Sequence, residues 1–395
     1  MTAGLLTITF FTAMFSMVAK RLSKTVVTAP MIFLGFGYLL ANLELLSANQ
    51  MEETLHLVAE IALIILLFLD AAQTNVTALR KRFVWPARML LIGLPLGLLL
   101  GTVSAWLLLP TWPLAAVALV AAILAPTDAA LGQAVVTNEA IPERERRALT
   151  VESGLNDGLA LPAILLFASL LANQMHQGDT NWLLFGAKQL ILGPIAGIIC
   201  GTAGGYILLW AKKRDYTSDI YEGVGALALA SASYLFATLI GGNGFISCFV
   251  AGLCFGHIVQ DKCKFIFEFT ESEGQGLTWG AFLLIGLLLV PEAIAHLDAA
   301  MLALILVSLF IVRPLAIWLS LIGTDASNST RLFFGWFGPR GLATALFALA
   351  VIHEIGPQFG DAILHIAINT VWISAILHGL TAQPGARWYG SQFKE

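Results

Sequence analysis

Long apolar runs separated by short polar segments cover almost the whole chain. A bilayer-spanning helix needs about 20 mostly apolar residues, and thirteen runs meet that requirement. The pattern therefore predicts an all-α polytopic membrane protein with about thirteen transmembrane helices. The predicted spans are 3–19, 26–46, 54–72, 87–109, 113–136, 147–172, 182–210, 219–240, 243–260, 275–291, 299–322, 333–353 and 362–381.

Basic residues lie in every second loop between the predicted spans. Of the 21 Lys and Arg residues, all but Lys188, Arg313 and Arg340 fall at one set of alternate loops. Basic loops stay on the cytoplasmic side of a membrane. We therefore expect a cell (inner) membrane protein with its N-terminus outside and its C-terminus cytoplasmic. The clustered residues are Lys20, Arg21, Lys24, Arg80, Lys81, Arg82, Arg88, Arg144, Arg146, Arg147, Lys212, Lys213, Arg214, Lys262, Lys264, Arg331, Arg387 and Lys394.

Composition agrees with this interpretation. Hydrophobic residues make up 58% of the 395 residues and charged residues 12%, which is about half the charged fraction of a soluble domain. No polar stretch is long enough for a soluble domain, so residues 1–395 are expected to form one transmembrane unit. Nothing in the sequence indicates a cofactor or a nucleic-acid partner.

Two predicted spans contain a proline-centred polar segment. The fifth contains residues 125–128 (APTD), and the twelfth contains residues 338–341 (GPRG). Proline removes a helix hydrogen bond and pushes the preceding residue away from helical angles. Interrupted helices in corresponding positions are typical of inverted-repeat transporters. Helices five and twelve are seven apart, an offset that reverses orientation as an inverted repeat requires.

Six ionisable residues lie inside the apolar spans. Each costs roughly 2.5–3.5 kcal/mol to place at mid-membrane, so pairing or function must offset the cost. Four acids against two bases leave a deficit of two positive charges, which a bound cation or bound protons would fill. The six are Asp70, Asp128, Glu152, Asp157, Arg313 and Arg340.

The densest polar cluster is residues 152–158, ESGLNDG. Residues four apart share a helix face, so Glu152 lies with Asn156, and Ser153 with Asp157. Gly154 and Gly158 form a small-xxx-small pair that lets a neighbouring helix approach closely. We expect that neighbour to be the broken fifth helix, which would bring Thr127 and Asp128 beside Ser153 and Asp157. These carboxylates and hydroxyls, with the carbonyls that the break frees, are hard oxygen ligands suited to Na⁺, Li⁺ or K⁺.

The sequence resembles the NhaP/NHE-type sodium/proton antiporters of the first branch of the monovalent cation:proton antiporter family. The resemblance covers nearly the whole chain, and the ESGLNDG and PRG motifs are specific. It implies an NhaA-like antiporter fold that forms a homodimer, with a core bundle at about 87–172 and 299–381 and a dimerisation bundle at about 1–80 and 182–291. The motifs are APTDAA (125–130), ESGLNDG (152–158), NGFISCFVAGL (243–253), VRPL (312–315) and FGPRG (337–341).

The resemblance also implies the roles of individual residues. Asp128 and Asp157 would bind the cation and the proton, with Thr127 and Ser153 as further Na⁺ ligands. Asn156 would orient the site, and Glu152 would pair with Arg340 to hold two core helices together. Asp70, in LFLDA, matches an acidic position on the cytoplasmic approach to the ion. For Arg313, the sequence leaves open a structural or regulatory pairing and an extended side chain that reaches the interface.

These features predict a secondary transporter that exchanges Na⁺ or Li⁺ for H⁺ by alternating access. Because Asn156 cannot ionise, one proton per cation is the expected stoichiometry, which agrees with the likeness of the Asn-Asp pair to the electroneutral branch. K⁺/H⁺ exchange at the same site stays open, as does an ion channel or membrane sensor. An intramembrane enzyme is disfavoured, because the sequence has no HExxH, GxSxG or GxGD motif.

Overall fold

The computed structural model describes residues 2–22, 25–43, 52–73, 84–175, 182–259 and 263–393, and within these ranges the regular structure is helical. Each of the thirteen predicted spans coincides with helix, which confirms the predicted fold class. In these described ranges, eight helices are long and apolar enough to cross a bilayer, and four shorter apolar helices accompany them. The predicted basic residues Lys24, Arg80, Lys81, Arg82, Lys262 and Lys394 lie outside the described residues.

We number the helices in chain order and count a helix that contains a π turn as one element. The first seven are α1 (Thr2–Leu22), α2 (Ala29–Asn42), α3 (Glu52–Gln73), α4 (Val84–Leu108), α5 (Leu114–Ile123), α6 (Ala129–Val136) and α7 (Glu143–Met175). The remaining eight are α8 (Trp182–Lys213), α9 (Asp219–Leu239), α10 (Gly244–Val259), α11 (Lys264–Leu284, continuing to Ala295), α12 (Ala299–Ser320), α13 (Asn328–Trp336), α14 (Leu342–Ile355) and α15 (Pro357–Gly390).

Among the described residues, three helices contain a π turn that ends two residues before a proline. The turns are Met89–Gly93 in α4, Ile285–Leu289 in α11 and Ser308–Val312 in α12. Proline has no N–H to donate to the helix backbone. A π turn accommodates one more residue than an α-helical turn, so the change in hydrogen bonding stays local. The turns in α4 and α12 occupy the fourth and eleventh spans, which are again seven apart. A π turn followed by a proline therefore occurs at corresponding positions in both halves of the chain.

The fifth and twelfth spans are both broken, as the prolines predict. Helix α5 ends at Ile123 and α6 begins at Ala129, while α13 ends at Trp336 and α14 begins at Leu342. The intervening residues 124–128 and 337–341 are non-helical and mostly buried. We call these two segments, with the part of α7 that faces them, the helix-break centre.

Packing around the helix-break centre differs from packing farther away. Helix α7 contacts α5, α6 and α14, while α15 packs against α6 and α14. A second group consists of α3, α8 and α10, in which α10 contacts both of the others. We call this second group the glycine layer, because glycines line its helix contacts. The two groups meet where α7 packs against α3 and α10.

Candidate functional site

Asp128 joins the two helix breaks. Its backbone N–H donates to the carbonyl of Pro339 at 2.8 Å. One carboxylate oxygen accepts from the N–H of Leu131 at 3.2 Å, which caps α6. The other accepts from the N–H of Leu342 at 2.7 Å, which caps α14. A single carboxylate thus satisfies donors at the start of both half-helices, where helix dipoles favour negative charge.

Gly341 makes this arrangement possible. A Cβ atom at this position would collide with the carboxylate of Asp128. The sequence therefore needs a residue without a side chain directly before α14, and PRG supplies one. This close approach holds the breaks together at one point in the bundle.

Arg340 secures the first break. Its guanidinium donates to the carbonyls of Ala125 and Pro126, two acceptors that the broken helix leaves without helical partners. Its backbone N–H donates to Ser374 on α15 at 2.7 Å, and that hydroxyl also contacts His378 at 3.1 Å. Two of the carbonyls expected to face the ion thus accept from a guanidinium instead.

Thr127 and Asn156 fix the first break to α7. The side-chain oxygen of Asn156 accepts from the Thr127 backbone N–H at 3.3 Å, and its amide nitrogen donates to the Thr127 hydroxyl at 2.5 Å. The Thr127 hydroxyl also lies 3.1 Å from that of Ser153 and 3.3 Å from a carboxylate oxygen of Glu152. All four side chains are buried. The structure therefore brings together the residues that helical spacing placed on adjoining faces.

The predicted partner of Glu152 was wrong. Glu152 pairs with Arg313 instead of Arg340, through two parallel hydrogen bonds of 3.0 and 3.2 Å. Both side chains are buried, which also excludes a side chain that extends to the interface. The guanidinium of Arg313 lies directly over Gly338, where a Cβ atom would collide with it. Arg340 instead uses its donors on the carbonyls of the first break.

Asp157 lies at the centre of the acidic group. It is buried, and one of its carboxylate oxygens has no hydrogen-bond partner among the described residues. The charges of Asp70, Asp128 and Glu152 all act on it. Asp70 is partly buried and reaches the group from α3, a helix of the glycine layer. The site therefore draws carboxylates from both sides of the contact between the two helix groups.

The charges around the centre do not balance. The pair with Arg313 neutralises Glu152, which leaves Asp70, Asp128 and Asp157 against Arg340. Among the described residues, three carboxylates against one guanidinium carry a formal deficit of two positive charges when all are ionised. An excess of one sign of charge inside an apolar bundle is strongly unfavourable. This arrangement favours the binding of cations or protons.

One member of the α7 glycine pair, Gly158, contacts a different helix from the one expected. A Cβ atom on Gly158 would collide with the ring of Phe249 on α10, so at this glycine α7 packs against the glycine layer instead of the broken fifth helix. Thr127 nevertheless reaches Ser153 from the adjoining face. Sequence reasoning also missed Ser374, which supports Arg340. No motif marks it, and only its position four residues before His378 places the two on one face of α15.

Comparison with solved structures supports the fold. The chain superposes on the sodium proton antiporter MjNhaP1 of Methanocaldococcus jannaschii with a TM-score of 0.80, covering 98% of each chain at 21% identity. At this level of identity the likeness shows a shared fold. The fold is therefore that of an NhaP-type antiporter, with the discontinuous helices that the prolines predicted.

Sequence relatives point to the same family. The chain is 30% identical over 345 residues to the K(+)/H(+) antiporter NhaP2 of Shewanella sp. strain ANA-3, which covers 85% of this chain. It is 29% identical over 181 residues to Na(+)/H(+) antiporter 2 of Zygosaccharomyces rouxii, covering 44% of this chain and 22% of that protein. The match to the Shewanella protein spans 58% of that relative's length.

The family model for the sodium/hydrogen exchanger transmembrane region matches residues 6–388. This range includes both helix breaks, the acidic group and all thirteen spans except a few residues at the start of the first. The chain is therefore a multi-pass membrane protein that belongs to the sodium/hydrogen exchanger family of transporters.

Proposed function

We propose that the chain is a secondary antiporter that exchanges Na⁺ or Li⁺ for H⁺ by alternating access. One observation carries the proposal: Asp157 has a buried carboxylate oxygen without a hydrogen-bond partner among the described residues, next to further acids. Buried polar atoms are almost always hydrogen-bonded, and exceptions mark functional groups or bound ions. A proton or a cation would supply the missing partner.

The proposed cation site consists of oxygen atoms from the helix-break centre. Asp157 and Asp128 supply carboxylates, and Thr127 and Ser153 supply hydroxyls, 3.1 Å apart. Discontinuous helices place such groups at the middle of the membrane in transporters. Asp128 already caps two half-helices, so we assign it the role of a fixed ligand. Asp157, which is less constrained, exchanges the cation for the proton.

Asp70 and Asn156 complete this assignment. Asp70 lies on the cytoplasmic approach and attracts the cation toward Asp157. Asn156 binds both the backbone and the hydroxyl of Thr127, so it positions a ligand without carrying charge. Because the residue beside Asp157 cannot ionise, one proton leaves for each Na⁺ that enters. We therefore propose electroneutral exchange.

Neutralisation controls movement in this mechanism. A site that holds neither cation nor proton keeps its excess negative charge, and moving that charge through the apolar interior is unfavourable. The core bundle, at about 87–172 and 299–381, therefore moves against the dimerisation bundle only when the acids are occupied. We further propose a homodimer in the cell (inner) membrane, with the N-terminus outside and the C-terminus cytoplasmic, because the basic residues cluster at alternate loops.

K⁺/H⁺ exchange is a second candidate. It is favoured by the 30% identity to a protein named as a K(+)/H(+) antiporter. The same carboxylates and hydroxyls would bind K⁺, and only the size of the opened site would separate the two ions. The proposed site residues are the same in both cases.

Reconstitution into liposomes tests the proposal. With an internal pH dye and a potassium/valinomycin voltage clamp, we expect saturable proton movement on addition of Na⁺ or Li⁺ that does not depend on voltage. For the K⁺ arm, an ionophore-free preparation is used. Asp157→Asn should reduce exchange to the rate of protein-free liposomes without lowering the melting temperature. Asp219→Asn, the same change at the exposed start of α9, is the matched control and should exchange normally.

Each outcome has a definite meaning. A response to K⁺ alone would change the ion and keep the site. Near-normal exchange by Asp157→Asn would refute the role of Asp157. Voltage-driven current without saturation would indicate a channel. Folded protein that moves no protons with any of the cations would refute antiport.

A further inference from the structure

Glu292, His296 and His365 converge outside the ion site. Glu292 and His296 are four residues apart at the end of α11, and His365 lies in the first third of α15. One possible ligand atom from each residue lies within 4.8 Å of the others. The cluster is at the end of the bundle where α11 finishes and α15 begins. The proposed transport mechanism does not use it.

We propose that these three side chains bind a divalent transition-metal ion of the zinc type and that the ion ties α11 to α15. Two imidazoles and one carboxylate are a ligand set that zinc uses with a water in the fourth position. Zinc ligand atoms lie roughly 3.4 Å apart, given metal–ligand bonds of about 2.1 Å. Two of the three side chains are exposed, so small rotations can close the remaining distance.

The hydrogen bonding of His296 supports the assignment. Its Nδ1 atom lies 2.9 Å from the backbone carbonyl of Glu292. When Nδ1 donates this hydrogen bond, the lone pair of Nε2 is available to a metal. Metal-binding histidines usually donate their second ring N–H to a carbonyl or carboxylate in this way. The contact therefore orients His296 as a ligand.

The two histidine rings are also arranged for metal binding. They stack with centroids 4.7 Å apart and an angle of 9° between their planes. Metals bind the neutral imidazole through a ring nitrogen, and the parallel stack holds the two rings side by side. Glu292 lies 3.8 Å from Nε2 of His365. An ion pair of that length with an exposed carboxylate contributes little by itself, and it does not involve His296.

Nearby contacts fix the two helices around the cluster. The side chain of Asn369 on α15 donates to the carbonyl of Ala293 on α11 at 2.6 Å. Its own oxygen accepts from Trp372 at 2.8 Å. The register of the helices is therefore set beside the ligands. Asp361, one turn before His365, adds negative charge near the site and attracts cations to it.

A bound metal would have a consequence for transport. Helix α15 falls in the proposed core bundle. Helix α11 belongs to the proposed dimerisation bundle up to about residue 291, and Glu292 and His296 follow directly after it. Movement of one bundle against the other would have to break a metal–ligand bond. We therefore infer that zinc inhibits exchange, a consequence that rests on the proposed antiport, whereas metal binding itself does not.

Equilibrium dialysis of the purified, chelator-treated chain against Zn²⁺ tests the site. We expect one tightly bound Zn²⁺ per chain. In His296→Gln and in Glu292→Gln, the affinity for Zn²⁺ should fall by about tenfold or more. His257→Gln removes an exposed histidine elsewhere, at the end of α10, and should bind as the parent does. Equal binding by the parent and both ligand variants would overturn the proposal. Because Glu292 and His296 are exposed, these variants should fold normally.

The liposome assay tests the inhibition separately. Zn²⁺ should slow exchange by the parent and by His257→Gln, chelator should restore it, and His296→Gln should be insensitive. Binding without inhibition would overturn the tie between the helices and leave the metal site. If metal-free protein shows no exchange at all, the proposed antiport fails, and dialysis still decides whether the metal binds.

Discussion

The helix-break centre and the glycine layer solve the same packing problem in opposite ways. In the glycine layer, backbones come into direct contact: added Cβ atoms on Gly252 and Gly256 of α10 would collide with the carbonyls of Phe68 and Ala72 on α3. In the helix-break centre, polar side chains lie between the helices instead. The first region is held by close apolar contact, and the second by hydrogen bonds that satisfy buried polar groups.

The lipid environment explains why both solutions occur. Lipid chains are as apolar as leucine, so burying apolar side chains provides little drive for helix association, and small residues that allow close contact stabilise it instead. Such contact leaves no room for ions. Broken helices and buried charges make room for ions, but each polar group then needs a partner. We therefore expect the two regions to respond differently to substitution.

The largest effect is expected at the Glu152–Arg313 pair. Arg313→Gln leaves a buried carboxylate without its partner and should lower the free energy of unfolding by about 3–5 kcal/mol. Adding Glu152→Gln should restore much of the loss, because removing both charges of a buried pair is far less costly than removing one. Thermal unfolding in detergent, followed by tryptophan fluorescence, would measure this recovery.

Arg340 provides the control for this experiment. Its donors go to carbonyls of the first break, so Glu152→Gln should not restore stability to Arg340→Gln. Recovery in the Arg340 background and none in the Arg313 background would reverse the pairing described above. It would also show that the centre is organised as the sequence resemblance first implied.

That pairing shows where sequence reasoning stops. Proline positions predicted both breaks, and four-residue spacing correctly placed Glu152 with Asn156, because both signals are local. The partner of Glu152 is 161 residues away, and two buried arginines were available to it. Only the three-dimensional path of α12, with a π turn directly before Arg313, decides between them.

The glycine layer shows the converse. The sequence signal of the glycine layer is local, because Gly193, Gly197 and Gly201 repeat every four residues along α8. A Cβ atom added at each of them would meet residues of α10. The pair Gly252 and Gly256 repeats in the same way. Sequence analysis singled out only Gly154 and Gly158, since they lay among charged residues. Spacing reveals that such a face exists, but it does not reveal which helix packs there.

The second prediction tests the glycine layer directly. Gly256→Val places a branched side chain against the backbone of Ala72, and neither helix can move without disturbing the other contacts of α10. We expect a loss of about 2–3 kcal/mol in the free energy of unfolding. Gly225→Val is the matched control, because nothing lies within 4 Å of a Cβ atom at that position. Equal melting temperatures for the two variants would show that the glycine contacts do not stabilise the fold.

The smallest effect is expected at Glu222, a buried acid at the start of α9. It accepts from Lys212 at the end of α8 at 2.9 Å, and Asp219 lies 3.6 Å from the same ammonium group. Lys212 is about one-third exposed, so after Glu222→Gln its charge keeps both water and a second carboxylate. We expect a loss of about 1 kcal/mol or less.

Glu222→Gln is the same chemical change as Glu152→Gln, made near the start of a helix instead of at the helix-break centre. At the centre, Glu152→Gln alone leaves Arg313 buried and without its counter-charge, so it should lower the melting temperature much more. Both variants would be compared with the parent in one detergent at several salt concentrations. Salt should weaken only the partly exposed Lys212–Glu222 pair. Both acids are buried, and the two pairs differ in the exposure of the partner cation. If the two substitutions cost the same, that exposure would not be what separates these regions.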